Sequence, residues 1–171
     1  YNNVSVKNNN VASIGRGIEI YDVRQAVVAY NTITLRGASE SNVGVYVSRG
    51  STVTKLLKNT INSINPNAYG IYVADDAVVS NIKSKTKMGI VLISGGTVSG
   101  VVKSNSISNT TSSGIYIGNE GYVPSITSNK VYTPGSHGIV VKNNSTARVV
   151  SIYKNRLRGI SNAKKYSAIY V

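Results

Sequence analysis

Apolar residues recur along this chain in one short pattern, which in its clearest form reads V-x-I-x-x-N-x-L. Six of its seven copies have apolar residues at these spacings on both sides of the asparagine, whereas in the Asn81 copy Lys83 takes an apolar position. A fixed period between 20 and 50 residues is typical of a solenoid. The asparagines are separated by about 24 residues on average and are Asn9, Asn31, Asn59, Asn81, Asn105, Asn129 and Asn155.

A second motif, G-I-x-V, runs in step with the first. Its apolar residues alternate with period two, which predicts a strand whose Ile and Val point inward. The motif begins at Gly17, Gly44, Gly70, Gly89, Gly114 and Gly138, with Ala168 in the seventh place. The predicted inward pairs are Ile18/Ile20, Val45/Val47, Ile71/Val73, Ile90/Leu92, Ile115/Ile117, Ile139/Val141 and Ile169/Val171.

Each repeated asparagine lies between two short apolar strands. Asparagine tolerates the left-handed backbone region better than most residues, so we predict that it takes this conformation and that successive asparagines bond to one another. Three short strands in each repeat predict an all-β fold, a single-stranded parallel β-helix of about seven coils. Seven repeats use nearly all of residues 1–171, so we predict one domain.

The motif pair G-I-x-V and V-x-x-N-x-I resembles the coils of the right-handed parallel β-helix superfamily, whose familiar members are pectate lyases. The resemblance covers nearly the whole chain and implies a right-handed helix with an asparagine ladder between the second and third sheets. It favours an exported protein, extracellular or at a cell surface. It implies no single function, because lyases, hydrolases, epimerases, tailspikes and adhesins share this architecture.

The two ends of the sequence suggest a piece of a larger protein. The chain begins with Tyr1 rather than Met, and neither end carries an amphipathic capping helix, which terminal repeats of solenoids normally have. Uncovered strand edges would permit end-to-end self-stacking of subunits, which we keep as a hypothesis.

Composition narrows the classes of partner. There is no cysteine, which excludes disulfides and thiolate metal sites, and no apolar stretch approaches the roughly 20 residues of a membrane span. The net charge is +13, from 19 Lys and Arg against 6 Asp and Glu. This favours an acidic partner, although basic residues also simply solvate the outside of β-proteins. We do not expect nucleic acid, because the basic residues lack a partner column of aromatic residues.

Candidates for catalysis are few. Pectin hydrolases of the superfamily carry an Asp-Asp pair and a Gly-His-Gly motif, and this chain has Asp75-Asp76 and His137-Gly138. Three coils, or about 14 Å, would separate them. Asp75 and Asp76 are also the candidate ligands for Ca²⁺, with an ordinary turn as the alternative. We assign no catalytic residue and no cofactor, and leave open whether the chain is part of an enzyme.

The outward middle position of G-I-x-V predicts a binding surface. With side chains about 4.8 Å apart on successive coils, this column should form a flat, partly aromatic strip, bordered by Ser48, Ala74, Ile93 and Gly118. Tyrosine rings suit the apolar faces of sugars, whereas a covered face or the strand propensity of Tyr are the alternatives. The predicted column is Glu19, Tyr46, Tyr72, Val91, Tyr116, Val140 and Tyr170, of which Glu19 and the four tyrosines are the candidate carbohydrate ligands.

A basic group near the last asparagine supplies candidate contacts to an acidic polymer, namely Lys130, Lys154, Arg156 and Arg158. The leading hypothesis is non-catalytic attachment to a polysaccharide, such as cellulose or an acidic plant cell-wall polymer. The alternatives are the coil region of a lyase or glycoside hydrolase acting on acidic polysaccharide, and a structural spike or filament segment.

Overall fold

A computed structural model describes residues 3–37, 42–65, 68–86, 91–142, 148–160 and 166–171, and every regular element within them is a β-strand. In chain order the strands are β1 Asn3–Lys7, β2 Asn10–Ser13, β3 Arg16–Tyr21, β4 Gln25–Ala29, β5 Thr32–Leu35, β6 Val43–Ser48, β7 Thr52–Ser63, β8 Tyr69–Ala74, β9 Val78–Val79, β10 Ile82–Thr86, β11 Val91–Ser94, β12 Thr97–Val98, β13 Val101–Lys103, β14 Ser106–Ser108, β15 Ile115–Gly118, β16 Tyr122–Thr127, β17 Lys130–Tyr132, β18 Ile139–Val141, β19 Arg148–Tyr153, β20 Arg156–Arg158 and β21 Ile169–Tyr170.

These strands stack in parallel as a β-solenoid of about six turns, which confirms the predicted all-β parallel architecture and lies close to the predicted coil number. One sheet, here called face 1, contains the seven G-I-x-V strands in the order β21-β18-β15-β11-β8-β6-β3. The other sheet has 14 strands and bends at the repeated asparagines. We call the part before the bend face 2 and the part after it face 3.

Branched aliphatic side chains fill the core between the three faces. The largest fully buried side chains are all Ile or Leu, among them Ile33, Leu56, Ile71 and Ile126. A layer only about 4.8 Å thick suits such side chains, because each packs against its counterparts in the layers above and below. This explains how the fold forms from a sequence that has no Phe or Trp.

The motif glycines mark the corner where face 3 meets face 1. A Cβ on Gly44 would lie 2.5 Å from Cγ2 of Ile61 and 2.6 Å from the carbonyl oxygen of Gly70. A Cβ on Gly114 would likewise collide with Val131. The corner therefore accepts glycine because any larger residue would overlap face 3 and the next coil.

The fourth G-I-x-V strand has a different register from the predicted one. Val91 pairs with Ile71 and Ile115, whereas Leu92 pairs with Tyr72 and Tyr116. The register therefore differs by one residue from the predicted one, since Val91 pairs with the positions of Ile71 and Ile115 and Leu92 with those of the tyrosines. Ile93, predicted to border the strip, is fully buried in the core. Four consecutive apolar residues, 90–93, give no alternation from which to choose the register. Gly89 and Ile90 lie outside the described residues.

Asparagine side chains form a ladder at the bend between faces 2 and 3. Nδ2 of Asn31 donates to Oδ1 of Asn59 at 2.9 Å, and Nδ2 of Asn129 donates to Oδ1 of Asn155 at the same distance. The same bond joins Asn9 to Asn31 and Asn105 to Asn129. Bonding between successive asparagines is thus present in the coils on both sides of the fourth one.

The fourth rung of the ladder is Ser84, and the prediction of Asn81 is wrong. Asn81 is exposed, and its Oδ1 accepts a hydrogen bond from the Val101 N–H at 3.0 Å. Ser84 is buried instead, and its N–H donates to Oδ1 of Asn105 at 2.8 Å. On the other side, Nδ2 of Asn59 reaches Oγ of Ser84 at 3.5 Å, the long limit of a hydrogen bond.

A one-residue deletion accounts for this exchange. Strand β10 pairs with β7 through Lys83↔Leu57 and Lys85↔Thr60, so that one residue of β10 lies opposite two residues of β7. Coil four, the coil of Ser84, is therefore shorter at the bend than its neighbours. The repeat spacing of the asparagines does not reveal the deletion, because Asn81 lies at nearly the average distance from Asn59 and Asn105.

The prediction that the ladder asparagine itself adopts the left-handed conformation is also wrong. The preceding residue has the positive φ, which frees the asparagine side chain to enter the bend. These turn residues have φ between 53° and 60° and are Asn8, Tyr30, Lys58, Ser104, Ser128 and Lys154. Within the described part of coil four, Ser84 follows Lys83 without such a residue.

Candidate functional site

The predicted tyrosines lie in one row across face 1. Their positions pair strand by strand, from Glu19↔Tyr46 and Tyr46↔Tyr72 through Tyr116↔Val140 to Val140↔Tyr170. Leu92 takes the middle place that the sequence assigned to Val91. The complete row is Glu19, Tyr46, Tyr72, Leu92, Tyr116, Val140 and Tyr170, and we call it the tyrosine row.

Tyr46 and Tyr72 do not form the flat strip that the sequence predicts. Their ring centroids are 5.3 Å apart and the rings are perpendicular, while the Tyr69 ring lies 5.7 Å from that of Tyr72 in a tilted arrangement. Edge-to-face contact is what aromatic quadrupoles favour at this separation, and the strand spacing is too wide for close parallel stacking. All three residues are partly buried and partly exposed to solvent.

Charged side chains border this aromatic group. The Arg16 guanidinium carbon lies 3.9 Å from the centroid of the Tyr46 ring, within cation–π range, and Arg16 also forms an ion pair with Glu19. We call Arg16, Glu19, Tyr46, Tyr69 and Tyr72 the Tyr46–Tyr72 cluster. It places ring surfaces, a guanidinium and a carboxylate on three successive coils.

The Tyr72 hydroxyl remains protonated well into the alkaline range. Burial raises the pKa of Tyr72 above its ordinary value, and Tyr46, Tyr69 and Asp75 act in the same direction. A hydrogen bond with the Ser94 side chain opposes them without reversing the direction. At neutral pH this hydroxyl is therefore a neutral donor and acceptor.

The other half of the tyrosine row is less uniform. The Tyr116 ring lies against its own strand over Gly118, where a Cβ would be 3.2 Å from the ring Cζ. Val140 is only 5% exposed, so the row is covered at this coil. Tyr170 is half exposed, and its ring lies 4.9 Å from the imidazole of His137.

Two members of the Tyr46–Tyr72 cluster, Arg16 and Tyr69, were missed from the sequence, and the contact of His137 with Tyr170 was not predicted. Arg16, Tyr69 and His137 occupy the same place, immediately before the glycine of a G-I-x-V motif. Register pairing of Arg16 with Val43 and of Val43 with Tyr69 shows that this place forms a second column beside the tyrosine row. This column is visible in the sequence when each G-I-x-V motif is extended by the residue before its glycine.

Asp75 and Asp76 form a turn after face 1. Both are exposed, with φ of 49° and 58°, and Arg49-Gly50 and Asn119-Glu120 take the same left-handed conformation at equivalent turns. Asp and Asn are among the residues that tolerate this backbone. In the described part of the chain, no group of three or more His, Cys, Asp or Glu side chains could hold a metal ion.

The four predicted basic contacts lie together near the bend between faces 2 and 3, and all are exposed. Lys130 pairs with Arg156 in register, Tyr132 pairs with Arg158, and Lys154 is the left-handed turn residue of the same coil. Like charges directly opposite each other on neighbouring strands repel, and a bound anion relieves this repulsion.

Charge is segregated over the whole solenoid. The strands of faces 2 and 3 carry ten Lys and Arg residues and no Asp or Glu. The acidic residues in the described part of the chain lie on face 1 or in the turns that follow it, and they are Glu19, Asp22, Asp75, Asp76 and Glu120. Faces 2 and 3 therefore present a positive surface, opposite in character to the aromatic group on face 1.

No helix within the described residues is long and apolar enough to cross a membrane. Comparison with known proteins adds no relative, because no family model, curated protein or solved structure matches this chain.

Proposed function

We propose that this chain binds a polysaccharide without transforming it, through the tyrosine row of face 1. The observation that carries the proposal is the Tyr46–Tyr72 cluster, in which the Tyr46 ring contacts Arg16 of the Arg16–Glu19 ion pair and the other two rings continue the group from Tyr46. Sugar rings present apolar C–H faces and polar edges, so a surface that offers both rings and charged hydrogen-bonding groups matches them.

Rigidity supports the same proposal. The cluster residues belong to β-strands or lie at their ends, and the rings of Tyr46 and Tyr72 hold each other in place. Binding then orders few side chains, which reduces the entropic cost of association. The spacing of the row, about 4.8 Å per coil, lets a linear polymer contact several coils along the solenoid axis.

The charge of faces 2 and 3 favours an acidic polymer over a neutral one. Ten basic residues on these faces attract a polyanion at long range and raise its local concentration. Lys130, Lys154, Arg156 and Arg158 are the group of this surface that we propose contacts the polymer. An extracellular or cell-surface location, where such polymers occur, belongs to the proposal.

The test is co-sedimentation with insoluble cellulose and affinity electrophoresis in pectate, comparing wild type with Tyr46→Ala and Tyr72→Ala. Tyr153→Ala is the matched control, because Tyr153 is 49% exposed but lies at the end of face 2. We expect binding to fall about ten-fold or more in the face 1 variants, the effect of losing roughly 1.4 kcal/mol, and to persist in the control.

Two outcomes would overturn the proposal. One is binding that is absent from wild type or unchanged in Tyr46→Ala and Tyr72→Ala. The other is the release of unsaturated sugars from pectate with added Ca²⁺, which would show that the chain acts as a lyase rather than as a binding module.

A further inference from the structure

A cleft opens at the bend between faces 2 and 3, at the short fourth coil. Its volume is about 350 Å³, and it is lined by Lys58, Thr60, Lys83, Ser84 and Ser104. Pockets that hold small ligands or ligand groups begin at roughly 300 Å³, so the cleft is large enough for a small polyatomic ion and its waters.

The one-residue deletion creates this cleft. Lys58 and Ser104 are the left-handed turn residues of the coils on either side, with φ of 53° and 54°. Coil four contributes no such turn residue between them, so Ser84 forms the floor and is only 2% exposed. The two flanking turns belong to coils about 9.6 Å apart along the axis, which leaves a gap between them at coil four.

Each side chain that lines the cleft carries a hydrogen-bond donor beyond its aliphatic part. Lys58 and Lys83 supply two ammonium groups, and Thr60, Ser84 and Ser104 supply hydroxyls. No Asp or Glu occurs on the strands of faces 2 and 3 to neutralise the lysines. The Lys58 ammonium lies 5.3 Å from the centroid of the Tyr30 ring, a cation–π contact with the coil on the other side of Lys58 from coil four, which the side chain leaves when it binds an anion in the cleft.

We propose that this cleft binds an oxyanion of the sulfate or phosphate type, with Lys58 and Lys83 as the charged ligands. Ammonium groups form their strongest hydrogen bonds with such ionised acceptors, and a tetrahedral anion accepts from lysines and hydroxyls on several sides at once. The anion bridges coils three and five. The ladder has its longest bond at the same place, from Asn59 of coil three to Ser84 of coil four. The proposal does not depend on carbohydrate binding by face 1.

Amide chemical shifts of ¹⁵N-labelled protein test the proposal directly. The probes are sodium sulfate and sodium phosphate, each titrated at constant ionic strength against sodium chloride. We expect saturable shifts of the Lys83, Ser84 and Ser104 amides, and a loss of affinity of about ten-fold in Lys58→Ala and in Lys83→Ala, each of which removes one charge-assisted bond.

Lys55→Ala is the matched control, because Lys55 is an exposed lysine of the same strand as Lys58 but does not line the cleft. It should keep wild-type affinity. Shifts that never saturate, or an equal loss in Lys55→Ala, would overturn the proposal and indicate diffuse attraction by the basic faces.

A last titration distinguishes a free inorganic anion from a sulfate ester carried by a polymer. A sulfated dextran oligosaccharide is titrated under the same conditions as inorganic sulfate. Saturation at lower concentration than sulfate, with the same three amides shifted, identifies a polymer-borne group; weaker binding than sulfate identifies a free ion. Failure of both probes to shift these amides contradicts the site itself, whatever the outcome of the cellulose and pectate tests.

Discussion

Buried asparagine side chains connect successive coils at the bend between faces 2 and 3. Asn129 is fully buried, and its Nδ2 donates both to Oδ1 of Asn155 and to the Val102 carbonyl, each at 2.9 Å. Its Oδ1 accepts from the side chain and the N–H of Asn105. One side chain thus bonds to polar groups in the coils on both sides of its own, and these groups would be costly to leave unpaired in the core.

Asn129→Ala should therefore destabilise the protein by roughly 2–5 kcal/mol, because it leaves several buried donors and acceptors without partners. Asn81→Ala is the control, since Asn81 is exposed and bonds only the Val101 N–H in the described structure. Its cost should be about 1 kcal/mol or less. Urea unfolding measures both, and similar losses in the two variants would contradict the assignment of the ladder.

The Tyr72 hydroxyl predicts a stability change at alkaline pH. Because the pKa of Tyr72 is raised in the fold, the unfolded chain releases this proton first, near the ordinary pKa of about 10. The neutral Tyr72 hydroxyl therefore makes its full contribution to the free energy of unfolding below that pH, and this contribution is lost as the pH rises further. Unfolding free energies between pH 8 and 11 should fall less steeply in Tyr72→Phe than in wild type, and parallel curves would refute the shift.

At the scale of elements, the corner between faces 3 and 1 is set by the glycine that begins each face 1 strand. Gly114→Ala should cost about 1–3 kcal/mol, because its Cβ would overlap Val131 in a packed core. Gly15→Ala is the matched control, since a Cβ there meets nothing within 4 Å, and it should change stability by less than about 0.5 kcal/mol. Thermal unfolding compares them, and a tolerated Gly114→Ala would show that the corner is looser than described.

The elements also show how far the sequence predicts this molecule. Strands such as β6 and β15 were predictable, because strict alternation allows one register only. Strand β11 was not, since apolar residues 90–93 fit either register, and rung Ser84 was hidden because the period points to Asn81. The tyrosine row followed from alternation, whereas the contact of Arg16 with Tyr46 depends on side-chain geometry that a repeat pattern does not contain.

At the scale of the whole molecule, two surfaces of different character run along one rod. Face 1 carries the Tyr46–Tyr72 cluster, and the described acidic residues lie on it or in the turns that follow it, whereas the strands of faces 2 and 3 carry only basic charges. Contacts to neutral sugar rings depend little on salt, while attraction between separated charges is screened within about 8 Å at physiological ionic strength. The two surfaces should therefore respond differently to salt.

Raising NaCl from 50 to 500 mM should weaken binding to pectate several-fold while leaving binding to cellulose nearly unchanged. Replacing Lys130 and Arg156 by Gln should reproduce the salt effect on pectate at low ionic strength, because it removes an in-register pair of charges. Retardation in pectate gels at each salt concentration provides the measurement. Salt dependence of equal size for both polymers would contradict the separation of the two surfaces.

The central claim is that face 1 is the surface that meets the polysaccharide. The most direct test is the mapping of ¹⁵N amide shifts while cellohexaose or an oligogalacturonate is added to wild-type protein. We predict saturable shifts centred on residues 44–48 and 70–74, with smaller changes in the turns next to them. Shifts confined to the strands of faces 2 and 3, with face 1 unperturbed at saturation, would contradict the claim.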